Sequence, residues 1–442
     1  MTRFSPILLL ACLCLPAPWQ AGCQPQRQRG VHAVDVRPSF AVVASDYSAS
    51  SVALLDADGG VLAPDFIHSG SAPAGLVTAL SGDVVLPTHS GEDGIVTLLD
   101  RFRTDVVTRV DPMRGRVVGQ LRTQSPERSD GSPAYSSNPQ DYVIIDAHNA
   151  WVTRFEPNMG VPLDDIDRGN DLLRIDPTDL RRMGRIPLSQ LNGSAPRVGP
   201  DGETGEAVPV FARPSSLARV GDRLVVGLAR LSLAADAMGE GMVAVVAPGT
   251  GQVRGLALEG LLNCAELAPV PGEPDAVIVS CGGFYRTPGR AGAGLALMRL
   301  RDGTLQVEHL WRAVDHPDAP LAVGAVVSLG GSELVAVAHG EGEQRDAAGE
   351  LAGPASRDRA YVVDLATGVR RLLFEAEGRF VVGSGAYDPD SGLLLIPDAS
   401  TDGAARPVAG VRRFRRTSEG ELRPLDVIEI DDVLPVRQVR AL

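Results

Sequence analysis

AYVVDLATGVRRLLF, residues 360–374, carries the pattern that decides the fold: an apolar strand, an aspartate, a glycine-containing turn and a second strand. The same sentence is written around Asp56 (FAVVASDYSASSVALLD), Asp111 (VTRVDPMRGRVVGQL) and Asp176 (DLLRIDPTDLRRMGRIPL). It returns around Ala247 (MVAVVAPGTGQVRGLAL), Asp302 (LALMRLRDGTLQVEHL) and Arg415 (GVRRFRRTSEGELRPLDVIEI). In chain order these anchors, with Asp364 before the last, lie 55, 65, 71, 55, 62 and 51 residues apart. Self-similarity at a spacing of this order is the signature of a repeat architecture.

Each unit offers four short apolar runs, clearest in the fourth: Pro214–Arg219, Arg223–Leu228, Met242–Ala247 and Gln252–Leu258. A twisted four-stranded sheet cannot bury both faces by itself, and radial stacking of such sheets solves that while shielding their edges. Seven units fit between Val34 and Leu442, which predicts an all-β, seven-bladed β-propeller of four-stranded antiparallel blades. The alternative, two separate β-sandwich domains, wants a linker or a change of composition near the middle, and the chain has neither. The turns at DLATGV and VDPMRGRV resemble those of the YVTN-type seven-bladed propellers of bacterial envelopes. That resemblance covers nearly the whole mature chain and implies fold, not activity. The ring is expected to close through the C-terminal segment VLPVRQVRAL or through Val34–Val36.

The N-terminus reads as an export signal. Arg3 precedes the apolar run Ile7–Leu15, too short to span a bilayer. It leads to Gln20-Ala21-Gly22-Cys23, which resembles the lipobox of bacterial lipoproteins, although Gln20 replaces the usual aliphatic residue. The resemblance implies a signal peptide over residues 1–22 and lipidation of Cys23; ordinary cleavage near Ala21 or Gly22 is the alternative. Residues 23–33 then form a polar tether (QPQRQRG) ahead of one propeller over 34–442. Gln24 after the modified cysteine points to the outer membrane. The protein should face the periplasm or the cell surface as a monomer.

The net charge of −13, with arginine supplying every basic residue, leaves no electrostatic footprint for nucleic acid. Cys264 and Cys281 are the only cysteines in the expected globular part, Cys12 and Cys14 lying in the signal and Cys23 just after it. They lie equally far from the centre of the turn Pro271-Gly272-Glu273-Pro274, which predicts directly opposed partners in a disulfide-bonded hairpin.

Long polar insertions run over Arg122–Gln140 and Gly340–Arg359, with shorter ones at Asn158–Asn170, Asn192–Pro209 and Phe284–Gly294. Loops on a rigid scaffold are where binding tends to reside. The second strand of each blade should end on the ligand-entry face, at Ser45-Asp46, Thr88-His89, Arg154-Phe155-Glu156, Ala229-Arg230, Ser280-Cys281, His339 and Pro397-Asp398. Asp46, His89, His339 and Asp398 are therefore the candidate rim residues for a polar ligand or a cation. Asp165, Asp167 and Asp171 place carboxylates at near-alternating positions, as calcium loops do, without the later bidentate glutamate. His148, within an apolar strand, reads as structural. No HExxH pair, G-x-S-x-G elbow, Walker loop or helix-opening GxGxxG is present. Nor does the chain carry sialidase-type Asp boxes or the tryptophan docking motifs of quinoprotein propellers. The favoured expectation is a lipid-anchored envelope module, without a cofactor, that binds an envelope protein or a polar ligand. The alternatives are a metal-dependent, lactonase-like hydrolase at the channel mouth and a structural assembly scaffold.

Overall fold

The repeated aspartate owes its place to turn chemistry. Asp56 Oδ1 accepts the backbone N–H groups of Asp58 and Gly60. Asp176 Oδ1 accepts those of Thr178 and Asp179, and Asp364 Oδ1 that of Ala366. A short carboxylate at the end of a strand thus satisfies the donors of the turn that reverses the chain. The Asp364 carboxyl is held below its ordinary value by the Ser332 and Thr367 hydroxyls, then by these turn amides.

The computed structural model describes residues 30–89, 94–125, 135–162, 164–199, 202–287, 291–315, 323–340, 344–345, 351–353, 356–401 and 410–442. Cys23 and the export signal lie outside them, as do parts of the two longest insertions. Seven four-stranded antiparallel sheets are arranged as blades. From the channel outward, blade 4 is Pro214–Val220, Arg223–Leu228, Glu240–Ala247 and Gln252–Leu262, close to the four runs read from the sequence. The other inner strands are Val84–Val85, Pro139–Asp146, Glu266–Val270, Val323–Gly330 and Ala386–Asp388 for blades 2, 3, 5, 6 and 7. Blade 1 is built from both chain ends: Val436–Ala441 is its inner strand and pairs with Phe40–Ser45, followed by Ser50–Leu55 and Val61–His68. Closure therefore uses the C-terminal segment. Val34 instead bonds Pro112 O, away from that sheet.

The core is distributed between blades. Seven buried apolar clusters each join two neighbours, from blades 1 and 2 (Val52, Leu54, Val96, Leu98) round to blades 7 and 1 (Phe40, Leu55, Leu393, Val411). Hydroxyl groups reinforce several of these junctions near the channel. Ser45 donates to Gly82 O (2.5 Å), just ahead of the blade 2 inner strand, while Thr153 donates to Ser215 O (2.7 Å) and Ser280 to Gly324 O (3.0 Å), each from a second strand to the next inner strand. Blade 4 has Gly227 at that position, where a Cβ would lie 2.5 Å from Ala265 O, and Ser216 of the inner strand makes the bond to Ala265 O instead.

One strand assignment differs from expectation. Thr88 and His89 follow the inner strand of blade 2, whose second strand is Val96–Asp100. The segment before Val84 forms no strand, because the Val77 and Thr78 N–H groups both go to the Gln120 side chain. Cys264 and Cys281 form the expected disulfide. They are staggered by one residue, since Glu266 faces Ser280 and a bulge at Pro269/Val270 displaces the hairpin's centre. Among the described residues no helix is long and apolar enough to cross a membrane.

Two outcomes follow from this architecture. Deleting residues 436–442 opens the ring and removes an inner strand, so cooperative urea unfolding followed by circular dichroism is expected to be lost. Reducing the Cys264–Cys281 bond, which spans 17 residues, should cost about 3 kcal/mol, read as a lower urea midpoint with an unchanged slope.

Candidate ligand-binding channel

Where the inner strands begin and the second strands end, the ring encloses a cavity of about 730 Å³. Its wall mixes polar and charged side chains (Asp141, Glu266, Arg437, Gln438, Arg440) with apolar ones such as Leu86, Val323 and Val381. Two of these side chains act as straps between blades. Asp141, buried on the inner strand of blade 3, accepts N–H groups from Thr88 of blade 2 (2.8 Å), from Leu217 of blade 4 (2.6 Å) and from Tyr142 (2.8 Å). Gln438, on the closing strand, accepts from Leu86 N–H (2.7 Å) and donates to Leu86 O (3.0 Å). Burial pushes the Asp141 carboxyl above its ordinary value despite these bonds.

The charges around the cavity fall into two groups. Arg101 is neutralised, with Nη2 2.5 Å from Asp83 Oδ1 and Nη1 donating to Gln140 Oε1 at 3.0 Å. Arg437 and Arg440, both on the closing strand, have no carboxylate within salt-bridge distance among the described residues. Arg437 donates from Nε to Ser45 O (3.1 Å) and lies 5.3 Å from the Tyr47 ring centroid. Arg440 donates from Nη1 to Gly385 O (3.3 Å), and its Nε is buried without a partner among the described residues. Burial weakens the hold of Arg440 on its proton, opposed by the fields of Glu266 and Asp141. Glu266, which opens the inner strand of blade 5, accepts no side-chain hydrogen bond among the described residues. Burial raises its carboxyl above the usual range, against the pull of Arg440.

His339 follows the second strand of blade 6 and lines the cavity. Its Nδ1 lies 3.4 Å from Asp358 Oδ2, and its ring centroid is 5.3 Å from that of Phe380. Gly324 makes room for it: a Cβ there would sit 2.1 Å from His339 Nε2. Asp358 also accepts N–H groups from Gly340, Phe380, Val381 and Val382, so one carboxylate anchors blade 6 to the approach of blade 7. Burial alone would raise its pKa, but the His339 contact and the Val382 and Gly340 amides outweigh burial and hold it at about 2.

The other rim candidates take different positions. Asp46 caps the turn to the third strand of blade 1, accepting from Ser48 N–H, Ser48 Oγ and Ala49 N–H. Its neighbour Tyr47, at φ 67°, is the residue that reaches the cavity mouth. Such a backbone conformation is uncommon for a bulky residue. Asp398 is buried in blade 7, 2.7 Å from Arg412 Nε and bonded to Ser400. His89 Nε2 accepts the Arg219 N–H at 3.4 Å, toward the far end of the blade 4 inner strand. Of the four, His339 alone lines the cavity. The acidic loop is taken up by arginines: Asp165 meets Arg168 at 3.0 Å, Asp167 meets Arg182 at 2.6 Å, and the wholly buried Arg154 lies 2.8 Å from Asp171 and 4.0 Å from Asp167. No cluster of three or more potential metal ligands is gathered among the described residues. Gln140, Asp141, Glu266, Arg437, Gln438 and Arg440 were not singled out in the sequence. Gln140, Asp141, Glu266, Arg437 and Gln438 lie in the first half of an inner strand and Arg440 further along the closing one, positions recognisable only once the blades are in register.

Neither a family model nor a curated protein sequence matches the chain. Solved structures match in fold. A Bacteroides fragilis protein provisionally assigned as a 6-phosphogluconolactonase shares 12% identity at a TM-score of 0.53, covering 92% of this chain and 98% of that one. A Lactobacillus plantarum protein shares 13% at 0.53, over 92% and 100%. A Bacteroides uniformis protein, again provisionally assigned as a 6-phosphogluconolactonase, shares 13% at 0.51, over 92% and 99%. At these identities the likeness establishes the seven-bladed propeller.

Asp358→Asn should loosen both His339 and the Phe380–Val382 segment, costing about 1–3 kcal/mol at neutral pH. Because the folded-state pKa lies below the unfolded one, this contribution is complete above pH ~4 and lost as pH falls toward 2. Urea titrations at pH 7 and pH 3 should therefore show the wild type and the variant converging in acid.

Proposed function

We propose that the protein is exported, is held to the membrane by lipid on Cys23, and binds a polar, negatively charged component of the cell envelope in its channel mouth. The observation that carries the binding site is the pair Arg437 and Arg440, arginines on one cavity wall with no carboxylate in salt-bridge contact among the described residues, in a chain whose net charge is −13. Arginine presents a rigid fork of donors suited to carboxylate or phosphate. Glu266 opposite them, which accepts no side-chain hydrogen bond among the described residues, would in its ionised form repel a second anionic group and so set the ligand's limits. Export and lipidation are supported by the apolar run before Cys23 and by the disulfide, which belongs to an oxidising compartment. This reading requires no cofactor.

A second reading is supported by the His339–Asp358 pair and by the provisional assignment of the two Bacteroides proteins. A carboxylate behind Nδ1 fixes a histidine so that Nε2 can accept a proton from water. Water activated in this way would add to the carbonyl carbon of a lactone, the ring C–O bond would break as Nε2 passes the proton it accepted to the departing ring oxygen, and the hydroxy acid would leave with His339 neutral again. Arg437 and Arg440 would then hold the substrate's anionic substituent.

Calorimetry of the mature protein with 6-phosphogluconate, and with glucose as an uncharged control, tests the binding site. Arg440→Gln is expected to weaken anion binding about tenfold, equivalent to about 1.4 kcal/mol, and Glu266→Gln to strengthen it. An unchanged affinity in both variants would remove the cavity from consideration. Base uptake with glucono-δ-lactone separates the readings: hydrolysis lost in His339→Gln with binding retained supports the enzyme, and no hydrolysis supports the binding module. Loss of hydrolysis on chelation would point to a metal-dependent form.

A further inference from the structure

The two faces of the ring are built differently, and residues 32–34, near the start of the described chain, lie on only one of them. On the cavity face the chain passes from second to third strand and from outer strand to the next inner strand. All five polar insertions read in the sequence occupy connections of these two kinds, as their flanking strands show: Arg116–Arg122 to Pro139–Asp146, Asn149–Pro157 to Gly169–Asp176, Arg181–Pro187 to Pro214–Val220, Glu273–Gly282 to Ala293–Arg301, and Glu333–Ala338 to Arg359–Asp364. The opposite face carries the hairpin turns from first to second and from third to fourth strand. These are short, from Gly221–Asp222 to the turns at Asp56–Gly60 and Leu365–Val369, the one long connection there being Leu86–Ile95.

The start of the globular part sits on the turn face. Val34 N–H donates to Pro112 O, and at Gly115 a Cβ would lie 2.2 Å from Ala33 N, so residues 32–34 press on the turn that joins the third and fourth strands of blade 2. Gly115, at φ 57°, both makes this turn and leaves room for the incoming chain. From Cys23 to Gly30 there are seven residues, which reach at most about 25 Å when fully extended and span roughly 15 Å as a flexible coil. A blade of seven-residue strands is itself about 23 Å tall. A tether of this length would be exhausted by climbing the wall to the cavity face.

We propose that the turn face is the side held toward the bilayer and that the channel mouth, with all the inserted loops, points away from it. This rests on lipidation at Cys23. It makes the ligand a component of the aqueous space or of a structure beyond the membrane, not a headgroup of the anchoring leaflet, and it gives the insertions room to meet a partner without competing with lipid.

The placement can be measured on the lipidated full-length protein in phosphatidylethanolamine/phosphatidylglycerol vesicles. Cys264 and Cys281 are oxidised and wholly buried, so an introduced cysteine is the reactive thiol in the mature chain. Asp222→Cys on the turn face and Leu233→Cys on the cavity face label the same blade, and both positions are exposed. With an acceptor-labelled lipid, energy transfer from the dye at 222 is expected to exceed that at 233 by at least about twofold, given the blade height. Equal transfer, or stronger transfer from 233, overturns the placement while leaving the anchor intact. Failure of the protein to associate with vesicles, or association unchanged by Cys23→Ser, overturns the anchor and the placement with it.

Discussion

The pairing of Phe40–Ser45 with Val436–Ala441 is the constraint on which the rest depends. An open row of seven sheets would expose two apolar faces, one on each terminal blade, and two unpaired edges. Closing the ring converts both faces into the seventh interblade cluster, where Phe40, Leu55, Leu393, Val411 and Val439 are wholly buried. The entropy of bringing together segments nearly 400 residues apart grows only slowly with chain length, whereas the apolar area recovered is that of a whole interface. The closing strand needs little length of its own because the hydroxyl bonds of Ser45, Thr153, Ser216 and Ser280 and the neighbouring clusters already set the curvature.

The same strand carries the channel's chemistry. Val436 and Val439 point into the core, while Arg437, Gln438 and Arg440 contribute to the cavity wall. Gln438 straps blade 1 to blade 2, and Arg437 reaches Ser45 O and, at 3.5 Å, Phe380 O. Forming the ring and placing the two arginines on the cavity wall are therefore one event. Arg440 illustrates the cost. A half-buried guanidinium whose Nε has no partner among the described residues is unfavourable unless something offsets it, and inside the cavity the fields of Glu266 and Asp141 do so only in part. An anion that completes the Arg440 shell gains what the free protein lacks.

The fold was legible because its signals are local. Strand, aspartate and glycine-bearing turn fall within fifteen residues, and Asp176 or Asp364 closes its turn with its own carboxylate. Reading failed where the deciding bond is distant. The run before Val84 looks no different from a strand, yet Gln120 of the outer strand takes its Val77 and Thr78 amides and leaves it irregular. The bulge at Pro269/Val270 shifted a disulfide that symmetry had placed one residue away. Candidate site residues suffered more, since the end of a second strand is only a strand end. Asp46 and Asp398 are spent on Ser48, Ala49, Ser400 and Arg412, whereas Arg437 and Arg440 sit in a segment whose apolar positions read as closure alone.

Asp358 shows why stability and site geometry cannot be tuned separately. Its two oxygens accept four backbone N–H groups and face His339, so the residue that orients the one histidine in the cavity wall also holds blade 6 against the segment entering blade 7. A side chain serving only the histidine could be exchanged at little cost to the fold. One serving only the amides would have no reason to lie beside the cavity. Joining the roles in a buried carboxylate fixes Phe380, at φ 55° and stacked obliquely on the imidazole, as part of the same unit. The mouth is rigid on this side because the bonds that orient its titratable group are those that seat one blade on the next, while variation is left to the inserted loops that rise around it.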